Sequence, residues 1–129
     1  MEKYNKKILI IEDEQALRVP LSATFEAAGF QVITANNGED GLKLALEKNP
    51  DIILLDLLMP KMDGRVMLRK LRESQQGKDT PVIILTVLQA DDLIMHWIAK
   101  YEPTYYLIKS DWGPEQIVKK VKERLSIQE

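Results

Sequence analysis

The most informative segment of this chain is Asp51-Ile-Ile-Leu-Leu-Asp56-Leu-Leu-Met-Pro60. Four consecutive apolar residues lead directly to one acidic residue, and a proline follows four positions later. A short apolar run closed by a turn signal is typical of a strand buried on both faces of a parallel sheet. Ligands bind beyond the carboxyl ends of such strands, which makes Asp56 a candidate functional residue. Alone, it could simply cap a turn.

Other short apolar runs alternate with segments whose apolar residues recur at helical spacing. The runs predicted as strands are residues 7–11, 31–35, 82–85 and 105–108. Pro20 lies inside the first helical segment, so we expect a kink or a late helix start there. Gly113-Pro114 is a favourable opening for the last helix. Five strands alternating with five helices predict an α/β domain, a doubly wound parallel sheet with helices on both faces.

Composition excludes several classes of function. The length of 129 residues fits a single domain, residues 1–129. A formal net charge of −2, from 18 basic and 20 acidic residues, offers no basic field for nucleic acid. The absence of cysteine excludes disulfides, thiolate zinc sites and cysteine nucleophiles. No apolar run approaches the length needed to cross a bilayer, so we expect a cytoplasmic protein without membrane insertion.

Complementary polar residues stand at the ends of the predicted strands. Glu12 and Asp13 follow strand one, Asp56 follows strand three, Thr86 ends strand four and Lys109 follows strand five. If the strand order is 2-1-3-4-5, the acidic residues meet where that order reverses. Crowded carboxylates favour a hard divalent cation such as Mg²⁺. Lys109 and Thr86 would then face an incoming anion.

Four segments, taken in order, resemble the receiver domains of bacterial two-component response regulators. They are Ile11-Glu-Asp-Glu14, Asp56-Leu-Leu-Met-Pro60 with Met62-Asp-Gly64, Val82-Ile-Ile-Leu-Thr86 and Tyr106-Leu-Ile-Lys109. The resemblance extends from Lys7 to about Ser126. It implies a five-stranded sheet of order 2-1-3-4-5 in a flavodoxin-like three-layer α/β/α fold. It also implies a stand-alone, chemotaxis-regulator-like switch that responds to phosphorylation, and not an enzyme with turnover.

The same resemblance implies a phosphoacceptor and a metal site. Asp56 would accept a phosphoryl group and become an aspartyl phosphate. Asp13, Asp56 and the backbone carbonyl of Leu58 would ligate Mg²⁺, and Glu12 would act through a metal-bound water.

Phosphoryl-binding and switch residues also follow from the resemblance. Lys109 would pair with one phosphoryl oxygen, and Thr86 would hydrogen-bond another. Inward movement of Thr86 would let the Tyr106 ring turn from outside to inside, although Tyr106 could instead be a packed core aromatic. The surface of helix 4, strand 5 and helix 5 would change, and partners would bind there.

Two leucines occupy positions that flank the path of attacking water in this family. Leu58 stands two residues after Asp56, and Leu88 stands two after Thr86. Apolar side chains cannot orient water as polar ones do. We therefore expect slow self-dephosphorylation, after the autocatalysed phosphorylation that the resemblance implies.

The partners implied by the resemblance are a phosphoryl donor and a target. The donor would be a histidine kinase or phosphotransferase, and the target is an unidentified downstream protein. A phosphorylation-dependent homodimer is an alternative means of output.

The sequence departs from the family pattern around strand 5. Ser110 follows Lys109 where most receivers have a proline, usually with a cis bond, so we expect a trans bond in a rerouted loop or a strained exception. The loop is one residue longer than usual, and Trp112 takes the place of an aromatic found there. Glu102-Pro103 replaces a common Gly-Ala turn. These departures bear on partner binding more than on phosphorylation.

Two other classes of function fit less well. A haloacid-dehalogenase-like phosphatase would use Asp56 as nucleophile, but it needs a general acid two residues later, where this chain has Leu58. A flavodoxin-like cofactor binder needs a phosphate cradle after strand one, and that loop is acidic here.

Overall fold

The computed structural model describes residues 4–127. Its strands are β1 (Lys7–Ile11), β2 (Gln31–Ala35), β3 (Ile52–Leu55), β4 (Val82–Thr86) and β5 (Tyr105–Ile108). Its helices are α1 (Gln15–Ala27), α2 (Gly38–Lys48), α3 (Gly64–Glu73), α4 (Asp92–Ala99) and α5 (Pro114–Arg124), with a 3₁₀ turn at Lys109–Asp111. The strands form one parallel sheet of order β2-β1-β3-β4-β5. The predicted fold class is confirmed.

Strand β1 lies where the strand order reverses, and this places the site. It pairs with β2 on one side and with β3 on the other. Ile11 is in register with Leu55, and the Asp56 N–H donates to the Ile11 carbonyl at 3.1 Å. The residues that follow β1 and β3 are therefore neighbours at one edge of the sheet.

Strand β3 is buried on both faces, as its unbroken apolar sequence predicts. Ile52 and Leu54 belong to one core cluster, under α1 and α5, whereas Ile53 and Leu55 belong to the other, under α2 to α4. All four are at most 2% exposed. Full burial of one such side chain contributes about 1.5–3 kcal/mol, so β3 firmly anchors the loop that carries Asp56.

Helix α1 is continuous from Gln15 through Pro20, so the expectation of a late start is wrong. The carbonyl of Glu14 accepts the N–H groups of Leu17 and Arg18 at 3.1 and 2.8 Å, and the helix is thus formed before the proline. Burial of Leu21 beyond the proline stabilises the next turn. No helix among residues 4–127 is long and apolar enough to cross a membrane.

The loop after β5 forms a short 3₁₀ turn. The described residues contain no cis peptide bond, so Lys109–Ser110 is trans and enters the 3₁₀ turn. Trp112 then packs against the core cluster under α1 and α5. As predicted, Pro114 begins α5, and the Gly113 N–H donates to the Gln116 side chain at 2.8 Å.

Arg72 stabilises the unusual turn before β5. Glu102 has φ 48°, the left-handed region that favours glycine. The Arg72 guanidinium donates to the carbonyls of Tyr101 and Glu102 at 2.7 and 3.1 Å, and to those of Gly77 and Thr80 at 2.9 and 2.7 Å. Burial lowers the pKa of Arg72. One side chain thus joins the end of α3 to two loops.

Candidate functional site

Three carboxylates meet at the edge formed by the ends of β1 and β3. Glu12 and Asp56 are buried, with 2% and 4% exposure, whereas Asp13 is exposed. One oxygen from each of the three lies within 4.8 Å of the others. The predicted convergence of these acids is therefore present in the structure.

Lys109 reaches this cluster from the end of β5. Its Nζ lies 2.8 Å from Glu12 Oε1, 2.9 Å from Asp56 Oδ2 and 3.0 Å from Glu14 Oε1. These contacts engage all three donors of the ammonium. Burial lowers the pKa of Lys109, but the three carboxylates outweigh burial, and the pKa is raised above its ordinary value. The ammonium is therefore a permanent positive charge.

Glu12 experiences the opposite balance. Burial raises its pKa, and the hydrogen bonds from Lys109 and the Glu14 N–H lower it only in part, so the pKa remains above its ordinary value. The buried carboxylate of Asp56 adds to the increase. Three carboxylates contact one ammonium, and Asp13 adds a fourth carboxylate beside Glu12 and Asp56, so the cluster carries excess negative charge. An all-oxygen donor set of this charge fits a hard divalent cation.

Thr86 and Tyr106 contact the same residue of the β4–α4 loop. The hydroxyl of Thr86, fully buried, accepts the Leu88 N–H at 3.4 Å. The Tyr106 hydroxyl donates to the Leu88 carbonyl at 2.9 Å, and its half-buried ring packs against the core cluster under α2 to α4. Burial raises the pKa of Tyr106. The two predicted switch residues are thus linked through the backbone of Leu88.

The β3–α3 loop completes the site. The Leu58 N–H donates to Asp56 Oδ1 at 3.3 Å, and the Leu58 side chain is 40% exposed. The Gly64 N–H donates to the Leu57 carbonyl at 2.9 Å and closes the loop. Asp63 begins α3 as its N-cap, where it accepts the Arg65 N–H at 2.8 Å.

Sequence reasoning assigned no role to two residues that contact the site. Glu14 pairs with Lys109, and Arg18 Nη1 donates to the carbonyls of Glu12 and Asp13 at 2.9 and 3.3 Å. Two features of the sequence could have indicated these roles. One is the run of three acids after strand one together with the lysine after strand five, and the other is an arginine one turn into α1. Arg18 fixes the backbone of the loop whose side chains form the acidic cluster.

Comparison with known proteins assigns the family. Residues 8–122 match the family model of the response regulator receiver domain. The chain belongs to this family. Receiver domains are phosphoacceptor signalling switches of two-component systems, and they interact with histidine kinases. The resemblance in the sequence and the expected function are confirmed at this level, and the roles of individual residues stay predictions.

Curated relatives of this receiver are longer proteins. It is 43% identical over 82 residues to the alkaline phosphatase synthesis transcriptional regulatory protein PhoP of Bacillus subtilis, covering 64% of this chain and 33% of that protein. It is 35% identical over 121 residues to the transcriptional regulatory protein SrrA of Staphylococcus aureus, covering 94% of this chain and 48% of that protein. The receiver thus spans a third to a half of these two relatives.

Solved receivers share the fold. The chemotaxis protein CheY4 of Vibrio cholerae superposes with a TM-score of 0.83 at 28% identity, covering 92% of this chain and 98% of that one.

Proposed function

We propose that Asp56 is the phosphoacceptor of this receiver. The observation that carries the proposal is the position of its buried carboxylate, between the acidic cluster and an ammonium 2.9 Å away. A carboxylate oxygen of Asp56 attacks phosphorus in line with the leaving group, and the bond from phosphorus to the donor breaks. Lys109 then neutralises a phosphoryl oxygen. A charged group that is already in position lowers the barrier, because the site does not have to rearrange during the reaction.

We further propose that Glu12, Asp13 and Asp56 hold Mg²⁺, together with the backbone carbonyl of Leu58. Asp13 and Asp56 would ligate it directly, and Glu12 would act through a water molecule. When bound, the cation supplies positive charge that offsets the developing charge on the phosphoryl oxygens. Arg18 holds the backbone of Glu12 and Asp13 in place, so their carboxylates approach the site from a fixed loop.

The proposed switch proceeds through Leu88. The Thr86 hydroxyl, which accepts the Leu88 N–H at 3.4 Å, moves inward and donates its own hydrogen to a phosphoryl oxygen. The loop moves, and the Tyr106 hydroxyl moves with it because it is bonded to the Leu88 carbonyl. The surface of α4, β5 and α5 then changes as a population shift, no larger than the differential stabilisation by the phosphoryl group.

Residues 1–129 form one receiver domain in this proposal, because the described elements all belong to one sheet and its covering helices. The donor is a histidine kinase or a phosphotransferase, and small phosphorylated molecules also serve in an autocatalysed reaction. A downstream protein docks on the α4–β5–α5 surface, or a second copy does so as a phosphorylation-dependent homodimer.

Incubation with acetyl phosphate and Mg²⁺ tests the phosphoacceptor. We expect the parent protein to gain the mass of one phosphoryl group and Asp56→Ala to gain none, because the variant lacks the carboxylate that would attack phosphorus. Intact mass spectrometry measures this directly. Asp79→Ala, at an exposed acid in the α3–β4 loop, is the matched control and should be labelled as the parent is. Full labelling of Asp56→Ala would show that another residue is the phosphoacceptor.

Leu58→Asn tests the proposed slow loss of phosphate. We expect faster decay of the aspartyl phosphate, because an amide on this partly exposed side chain can orient the attacking water. One net hydrogen bond of about 1 kcal/mol corresponds to roughly a fivefold increase in rate. Loss of mass after removal of the donor measures the decay. Leu93→Asn makes the same change on the 80% exposed side chain of α4 and should decay at the parent rate. A decay no faster in Leu58→Asn refutes the role of Leu58.

A further inference from the structure

Glu14 is the third carboxylate on Lys109, and it differs from the other two. The side chains of Glu12 and Asp56 are 3% and 4% exposed, whereas that of Glu14 is 60% exposed. Its backbone is fixed, because its N–H donates to Glu12 Oε2 at 3.0 Å and its carbonyl accepts the first N–H groups of α1. The Glu14 carboxylate therefore lies on the solvent side of the ammonium, where a phosphoryl donor must approach.

All three donors of Lys109 are engaged before any phosphoryl group arrives. A phosphoryl oxygen can bind Lys109 only by displacing a carboxylate. Displacing Glu12, or Asp56 before it reacts, would leave a buried carboxylate without its cation, which is costly. Glu14 returns to water at little cost because exposed ion pairs are weak. Glu14 is thus the carboxylate that exchanges.

We propose that Glu14 restrains phosphorylation, selecting against small donors of high negative charge. The proposal rests on the proposed phosphorylation of Asp56. An Asp56 oxygen attacks phosphorus, the bond from phosphorus to the acetyl oxygen breaks, and acetate leaves with the electron pair. Meanwhile the Glu14 carboxylate leaves Lys109 for water, and a phosphoryl oxygen takes its place. Until that exchange occurs, the negative charge of Glu14 repels the approaching donor.

The test compares initial phosphorylation rates of the parent, Glu14→Gln and Glu26→Gln at saturating Mg²⁺. Glutamine keeps the size of Glu14 without its charge. Glu14 makes no side-chain capping hydrogen bond to α1, so the helix start is preserved. Glu26→Gln makes the same change on the exposed face of α1 and controls for net charge. Acetyl phosphate is the dianionic donor, and phosphoramidate is the donor of lower net charge.

We expect Glu14→Gln to accept phosphate from acetyl phosphate roughly three- to tenfold faster at low ionic strength, as removal of a charge several ångströms away implies. The gain should shrink at about 1 M salt, where screening is strong. It should be smaller with phosphoramidate, and Glu26→Gln should match the parent. Glu14→Asp keeps the charge and should also stay near the parent rate.

Other outcomes separate the two proposals. If the parent gains no phosphoryl group at Asp56, the proposed function fails. If the parent is labelled at Asp56 but Glu14→Gln reacts at the same rate or more slowly, the restraint by Glu14 is refuted. A slower reaction would show instead that Glu14 helps to position Lys109. An equal gain with both donors and at both salt concentrations would also refute a role for its charge.

Discussion

Replacement of Gly64 by alanine is expected to lower the free energy of unfolding by about 3 kcal/mol. A Cβ at this first residue of α3 would overlap the Asp56 carbonyl oxygen and stand 2.7 Å from the Leu57 Cα. Both are backbone atoms next to the buried strand β3, so no flexible side chain can move aside. The β3–α3 loop would have to shift.

Gly113→Ala is the matched control for this substitution. Gly113 also stands at the start of a helix, but the nearest atom to its Cβ would be Gln116 Oε1 at 3.7 Å, an ordinary contact. We expect a cost of about 1 kcal/mol or less there. Urea denaturation measures both variants. Equal costs at the two positions would show that the close contact at Gly64 is not the cause.

The strands were predictable because each is a short apolar run whose burial is set by the sheet. The bounds predicted for β1 and β2 equal the observed ones. The observed strand β3, Ile52–Leu55, consists of the four apolar residues that precede Asp56. The convergence of Glu12, Asp13 and Asp56 then follows from strand order alone. Parallel strands place their carboxyl ends at one edge, so topology fixes this part of the site.

Helix bounds were less predictable where local signals conflict. Pro20 suggested a late start, yet burial of Leu21 and Phe25 stabilises the helix across it, since tertiary packing outweighs the loss of one hydrogen bond. The apolar spacing of the sequence predicts a fourth helix that includes Ala90 and Tyr101, but α4 begins after its cap, Asp91, and ends at Ala99. Hydrophobic periodicity shows which face of a helix is buried, but it does not show the residue at which the helix begins or ends.

Contacts between distant loops were not predictable. The pairing of Glu14 with Lys109 joins residues 95 positions apart, and either charge alone is typical of a solvated surface. The apolar spacing of the third helix places Arg72 on the face opposite Met67, Leu68 and Leu71, and it gives no sign that the guanidinium binds four carbonyl groups. Helical spacing cannot show which loops return across a helix.

Lys109→Met is expected to have the second large effect: it should lower the free energy of unfolding by about 3 kcal/mol, measured in EDTA so that no metal ion is bound. The buried carboxylates of Glu12 and Asp56 would lose the ammonium that lies within 2.9 Å of both. Lys120→Met is the control, because Lys120 is half-buried and has only a 3.6 Å ion pair with Glu123 and contacts over two rings. Lys120→Met should lower the free energy of unfolding by about 1 kcal/mol or less.

The cause can be separated from lost packing by two further measurements on Lys109→Met. In a Glu12→Gln background the same substitution should cost clearly less, because only one of the two buried carboxylates then lacks its cation. Added Mg²⁺ should stabilise Lys109→Met more than the parent, since a cation that binds only the folded acidic cluster shifts the unfolding equilibrium. If the cost is the same in both backgrounds and Mg²⁺ stabilises both proteins equally, the ammonium does not neutralise the acids. The proposed role of Lys109 in the phosphorylation of Asp56 would then lose its physical basis.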